Sequence, residues 1–207
     1  MIKHIVFDMG GVLIVWSPDL IISRLPVSAE DAPLLRREVF EETEWVCLDR
    51  GTLAPDEAFA RVAPRLPERL REAARSCICG WWKESFVPMP GMAELIAELK
   101  ALGYDVYLLS NATRRLHEYF PRIPGSEHFS GKLVSADWQL LKPQHEIYEK
   151  LYERFSLRPE ECFFIDDSPA NIEGARRTGM PGAVFFGDMA RLRRALRAAG
   201  VPVRESP

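Results

Sequence analysis

Residue types able to handle a phosphate and a metal ion recur along this chain, each just after a short apolar run. Asp8 follows the run 4–7 and precedes Met9-Gly10-Gly11. Ser110 and Asn111 follow the run 105–109, Lys142 stands before Pro143, and Asp166-Asp167 follow the run 162–165. Singly, each has an ordinary explanation. An Asp or Ser after a strand is usually a turn former or helix cap, and a lysine before proline is usually a surface residue. Jointly, they match the demands of phosphoryl transfer. A carboxylate can attack phosphorus and hold the group as an aspartyl-phosphate, splitting one hydrolysis into two steps. Asp8, Asp166 and Asp167 can share a site with a phosphate dianion only if a cation offsets their repulsion, and magnesium is the natural choice. Lys142 would neutralise the transferring group, while the Ser110 hydroxyl and the Asn111 backbone N–H would hold its oxygens. Glycines at 10 and 11 let backbone groups approach metal and phosphate closely. One group is missing. A proton donor is expected near Asp8, and Gly10 has no side chain.

Residues so far apart in sequence meet only if the fold brings strand ends together. In open α/β sheets ligands bind outside the carboxyl ends of the strands, which is where these residues fall. From Pro90 onward strand and helix signals alternate: a helix over 91–102, a strand over 105–109, a short strand near 133–135 and a helix opening at Pro143. A strand over 162–165, a helix over 171–178, a last strand over 183–186 and a C-terminal helix follow. This rhythm predicts an α/β fold, a Rossmann-like doubly wound parallel sheet. Residues 16–86 break it, with helix-like stretches at 30–42, 55–63 and 68–76 and no strand. Connections between strand and helix run to about 2–6 residues, so an insert this long reads as an all-helical cap over the site. The expected division is a catalytic core of residues 1–15 and 87–207 and a cap of residues 16–86. Trp16, Trp45, Asp49 and Arg50 lie in the insert and are candidates for choosing the substrate, although tryptophans there also suit the cap's own core. Trp81-Trp82 reads as a packing pair at the hinge.

Composition narrows the partners. The chain carries 27 Lys and Arg against 30 Asp and Glu, a formal net charge of −3, which argues against nucleic acid. The basic segment 191–197 has apolar residues at helical spacing and reads as a solvated C-terminal helix. The first apolar run is too soon interrupted for a secretory signal, and no run approaches the ~20 residues of a membrane span. Four cysteines without a zinc-site spacing read as reduced thiols. These features predict a cytoplasmic protein acting on a small phosphorylated molecule, with no membrane or nucleic-acid partner. Nothing in them speaks to oligomeric state.

Taken in order, the motifs resemble those of the haloacid dehalogenase-like hydrolase superfamily. Asp8-Met9-Gly10-Gly11-Val12 resembles its first motif, D-x-D-x-[T/V], and Leu108-Leu109-Ser110-Asn111 its second. Lys142-Pro143 resembles the third, and the stretch from Phe164 through Asp166-Asp167 to Ala175 the fourth. The resemblance implies a Rossmann-like core with the first strand central, and a helical cap. It also implies that Asp8 is nucleophile and magnesium ligand, that the Gly10 backbone carbonyl and the Asp167 carboxylate are further ligands, and that Asp166 lies close beside them. Asn171 holds a place often occupied by Asp. Where the superfamily's phosphatases usually carry an acid–base Asp, this chain has Gly10, and general acid–base catalysis is worth roughly 10²–10⁴-fold. The chain resembles the branch reading D-x-G-[G/N]-V, implying a phosphatase of small phosphorylated metabolites, sugar phosphates included. A 2-haloacid dehalogenase is an alternative, since halide leaves without a proton. Those enzymes work without magnesium, and the acidic pair would repel a carboxylate substrate. A catalytically weak regulatory or binding protein is another alternative, against which stand the retained nucleophile, lysine and acidic pair.

Overall fold

The computed structural model of the chain describes residues 1–80 and 87–205. The first strand, β1 (His4–Phe7), is followed by five helices: α1 (Pro18–Ile22), α2 (Ala32–Phe40), α3 (Thr43–Arg50), α4 (Pro55–Val62) and α5 (Glu68–Gly80). Strands and helices then alternate through α6 (Met92–Ala101), β2 (Asp105–Ser110), the short α7 (Leu116–Tyr119), β3 (Phe129–Val134) and the short α8 (Ser135–Trp138). The chain continues through α9 (His145–Phe155), β4 (Cys162–Asp166), α10 (Pro169–Arg177), β5 (Gly182–Val184) and α11 (Met189–Ala198). No helix among the described residues is long and apolar enough to cross a membrane.

The five strands form one parallel sheet in the order β3-β2-β1-β4-β5, with β1 at the centre. Its position follows from its residues. Ile5, Val6 and Phe7 are fully buried, and a strand buried on both faces suits the middle of a parallel sheet. Alternation sends Ile5 and Phe7 to one layer, with Leu95 and Ile96 of α6 and Leu192 and Leu196 of α11. Val6 faces the other layer, with Ile147 and Tyr148 of α9 and Ile172 of α10. This is the doubly wound α/β architecture expected. The arginine-rich α11 is tied down as well as solvated, since Arg193 pairs with Glu98 at 2.6 Å.

Helices α1 to α5 bury their apolar faces against one another, in a cluster drawn wholly from residues 21–78. Trp16 packs against both this cluster and the sheet's. The two ends of the helical segment run side by side, with Val15 N–H donating to Val87 O (2.8 Å) and Met89 N–H to Leu13 O (2.9 Å). The expected boundary at residues 86 and 87, and Trp81-Trp82, fall at or within the stretch outside the described residues.

Several boundaries differ from those read off the sequence. The helix expected to open at Pro143 begins at His145, because the backbone of Lys142 is bound on both sides by the Asn111 side chain. Helices α1 and α3 were not anticipated. Their signals were local: Ser17 accepts from Leu20 N–H ahead of Pro18, and Gly51 closes α3 at φ 76°. β3 begins at Phe129, earlier than expected, and β5 ends at Val184, leaving Phe186 exposed.

Tight packing links α10 to the segment carrying Lys142. A Cβ on Gly174 would stand 2.9 Å from both Cβ and the carbonyl oxygen of Pro143, and 3.0 Å from the Tyr148 hydroxyl. Gly174→Ala is expected to lower unfolding stability by about 1–3 kcal/mol, the usual cost of overpacking. Urea unfolding measures it. A wild-type midpoint with a wild-type slope would mean that α10 yields freely.

Candidate active site

The ends of β1, β2 and β4 lie side by side and deliver three polar residues to one edge of the sheet. Asp8 follows β1, held in register by its N–H on Ile165 O (2.8 Å), Ser110 ends β2, and Asp166 ends β4. Lys142 reaches into this edge from the loop before α9. Its ammonium lies 2.8 Å from Asp8 Oδ1, 2.7 Å from Asp166 Oδ2 and 3.0 Å from Leu109 O, so all its donors are used. Burial works against its charge, but Asp166 and Asp8 outweigh that and its pKa is raised. The Asn111 side chain fixes the Lys142 backbone, accepting its N–H (2.8 Å) and donating to its carbonyl (3.0 Å). The sequence suggested a role only for the Asn111 backbone.

Carboxylate oxygens of Asp8, Asp166 and Asp167 lie within 4.8 Å of one another. They are not equivalent. Asp166 accepts from Ser168 N–H (2.8 Å), from Lys142 and from both contacts of the Asn171 amide (3.0 and 3.1 Å), so its oxygens are already engaged. Asp8 accepts from Met9 N–H (2.6 Å) and Lys142, both on Oδ1. Burial first, and then the charges of Asp166 and Asp167, push the Asp8 pKa up against the pull of Lys142. Asp167, raised by burial and by Asp166, is the most exposed of the three.

Three carboxylates facing one ammonium leave an excess of negative charge that a hard divalent cation fits. The Gly10 carbonyl takes no part in the local bridge, in which Ile14 N–H donates to Met9 O and Gly11 N–H to Ile14 O. Gly11, at φ +70°, brings its backbone against Asp167: a Cβ there would stand 2.2 Å from Asp167 Oδ2. Among the described residues the buried Ser110 hydroxyl has no hydrogen-bond partner, which suits it to an oxygen that arrives with a substrate.

Beyond this edge lies a cavity of about 200 Å³. Asp8, Asp167 and Asn111 line it from the sheet, and Trp16, Trp45 and Asp49 from the helical segment and its approach. Thr113 and Tyr119 also line it, and neither stood out in the sequence. Arg50 is not among its lining residues. The Trp45 indole donates to the Asp49 carboxyl, whose pKa is pushed up to about 8, by burial first and then by the charge of Asp8. The Ser135 hydroxyl joins three segments here. It accepts from Ala112 N–H (2.8 Å) after β2 and donates to Asp49 O (2.5 Å) in α3.

Comparison with known proteins extends these observations. The profile of the haloacid dehalogenase-like hydrolases matches residues 2–179. A sesquiterpene phosphatase of Aspergillus oryzae is 30% identical over 183 residues, covering 87% of this chain and 88% of that protein. A D-ribitol-5-phosphate phosphatase of Bacteroides thetaiotaomicron is 24% identical over 188 residues, covering 86% and 89%. The same fold occurs in a solved enzyme of Bacteroides thetaiotaomicron in complex with magnesium and inorganic phosphate. It has a TM-score of 0.71 at 21% identity, over 93% of this chain and 99% of that one.

The contact at Gly11 generates a prediction. Gly11→Ala adds a methyl group where Asp167 stands and forces a left-handed residue, itself costing roughly 1–2 kcal/mol. Displacing a carboxylate from a metal site is expected to weaken magnesium binding by about 10–100-fold, as the loss of a ligand's support does. Calorimetric titration measures it, with circular dichroism to establish folding. A folded variant that binds like wild type would remove Asp167 from the site.

Proposed function

The chain belongs to the haloacid dehalogenase-like hydrolase family, and from that premise we propose that it is a magnesium-dependent phosphatase. On this reading it hydrolyses a small phosphorylated metabolite, sugar phosphates included, through an aspartyl-phosphate on Asp8. The observation that carries the reading is the convergence of Asp8, Asp166 and Asp167 within 4.8 Å around one buried lysine. Phosphatases among the relatives support it, and so does the fold shared with an enzyme solved with magnesium and phosphate.

The residues divide the work. Asp8, oriented by Met9 N–H and Lys142, attacks phosphorus, and water then attacks the aspartyl-phosphate. Asp8, Asp167 and the Gly10 carbonyl would hold magnesium, with Asp166 beside them fixing Lys142. Magnesium bound there offsets the carboxylate charge and polarises the substrate phosphate. The charge of Lys142, held against Asp8, offsets the negative charge brought by the transferring group, and Ser110 and the Asn111 N–H would supply donors to its oxygens. Asp8, Lys142 and Asp166 are already fixed by their mutual hydrogen bonds, so they need little reorganisation at the moment of reaction. The 2-haloacid dehalogenase alternative gains nothing from this arrangement, because two further carboxylates beside Asp8 repel a carboxylate substrate.

The test is hydrolysis of 4-nitrophenyl phosphate with magnesium and with excess chelator. Wild type is expected to turn over only with magnesium, and Asp8→Asn to lose at least about 10³-fold, or ~4 kcal/mol of barrier. Full activity in Asp8→Asn would end the mechanism. Magnesium-independent chloride release from 2-chloropropionate would replace it with dehalogenation.

A further inference from the structure

Gly10 leaves the reaction without its usual proton donor, and the structure shows what occupies the neighbouring space. A Cβ on Gly10 would touch Trp16, whose Cβ and Cγ stand 3.4 and 3.6 Å away. Those are ordinary van der Waals distances, so what residue 10 lacks is the acidic side chain itself. Where the leaving group needs a proton, a side chain around the cavity can supply it.

The lining groups can be sorted by what they already do. Asp8 is the nucleophile, and Asp167 belongs with the metal. The amide of Asn111 is committed to the Lys142 backbone. Thr113 and Tyr119 carry hydroxyls, but a threonine hydroxyl is far too weak an acid, and burial pushes the tyrosine further up. Asp49 is the one carboxyl among the lining residues that neither the nucleophilic nor the metal role uses.

We propose that Asp49, carried by α3, is the general acid and base of the reaction, replacing the side chain that residue 10 lacks. The proposal rests on the phosphatase reading above. Asp49 is held over the cavity from three directions. Its carbonyl accepts from Ser135, its carboxyl accepts from Trp45, and Gly51, two residues further on, packs against Ala136 of α8. A Cβ on Gly51 would stand 2.3 Å from Ala136 O, so α3 can dock this closely only with glycine there. The surroundings also keep the group protonated near neutrality. Burial and the charge of Asp8 raise it, while Lys142 and the Trp45 N–H act the other way.

The steps balance. As an Asp8 oxygen bonds to phosphorus, the bond to the leaving oxygen breaks and that oxygen takes the Asp49 proton, giving an alcohol and an Asp49 carboxylate. That carboxylate then takes a proton from the water attacking the aspartyl-phosphate. Inorganic phosphate leaves, Asp8 is restored, and Asp49 is protonated again.

A donor matters most when the leaving group is a poor one. Asp49→Asn is expected to lower kcat/KM for an alkyl phosphate such as glycerol 1-phosphate by roughly 10²–10⁴-fold. For 4-nitrophenyl phosphate, whose leaving group needs no proton, the expected loss is less than about tenfold. The variant should also release a burst of nitrophenolate before steady state, because breakdown of the aspartyl-phosphate has lost its base. Equal losses on both substrates, or none on either, would overturn the assignment. If wild type itself hydrolyses neither, the phosphatase reading fails instead, so the two failures are distinct. Should Asp49→Asn not fold, Asp49→Glu is compared in the same way: an alkyl-selective loss supports the assignment and an equal loss overturns it.

Discussion

A lysine with no solvent exposure, fixed between two carboxylates, is the constraint on which the rest of the site depends. A charge at Lys142 survives burial only because Asp8 and Asp166 stand 2.8 and 2.7 Å away and Leu109 O accepts the remaining N–H. Removing one partner of such a buried set typically costs about 3–5 kcal/mol, which gives the fold strong reason to keep every member in place. Because the partners come from the ends of β1, β2 and β4, the ammonium also fixes how those ends sit relative to one another. The same pairing still leaves uncompensated negative charge, and that surplus is what makes the edge a place for a cation and a phosphate rather than a closed ion pair.

The helical segment is positioned by much smaller features. One hydroxyl, Ser135, connects the turn after β2 to the carbonyl of Asp49, and one glycine, Gly51, permits α3 to approach α8. Trp16 packs into both hydrophobic clusters and so couples the helices to the sheet as well as lining the cavity. The cavity is therefore bounded by groups whose placement depends on contacts between the two parts, whereas the lysine-centred edge is built from strand ends and the loop before α9, without the helical segment.

That difference explains what the sequence revealed. Asp8 and Asp166-Asp167 were legible because each follows the apolar run of a strand, and parallel topology sends such positions to one edge, whereas Lys142 was legible from its motif and reaches that edge from the loop before α9. The sheet itself was legible from period and composition. The roles of the Asn111 side chain and of Ser135 were not, since each depends on a partner distant in sequence, Lys142 for one and Asp49 for the other. Thr113 and Tyr119 were missed because nothing local distinguishes a threonine or tyrosine that faces a cavity from one that does not. Asp49 stood out only as a candidate for choosing the substrate. Its burial and its nearness to Asp8, which give it chemical meaning, exist only once α3 is docked.

An acid on α3 has a physical consequence that an acid on the turn after β1 would lack. A donor at residue 10 would be fixed to the nucleophile's own strand and available whenever Asp8 is. Asp49 is placed by the docking of α3 on α8, so the residue assigned the proton also helps to enclose the cavity. Enclosure excludes water and strengthens the interaction between every charge in the site. It also keeps the carboxyl poorly solvated, and this is the leading cause of its raised pKa. The contact that positions the donor is thus the contact that keeps it protonated. Residue 10 supplies no donor, and with α3 docked Asp49 is the carboxyl left beside the nucleophile's cavity to take its place.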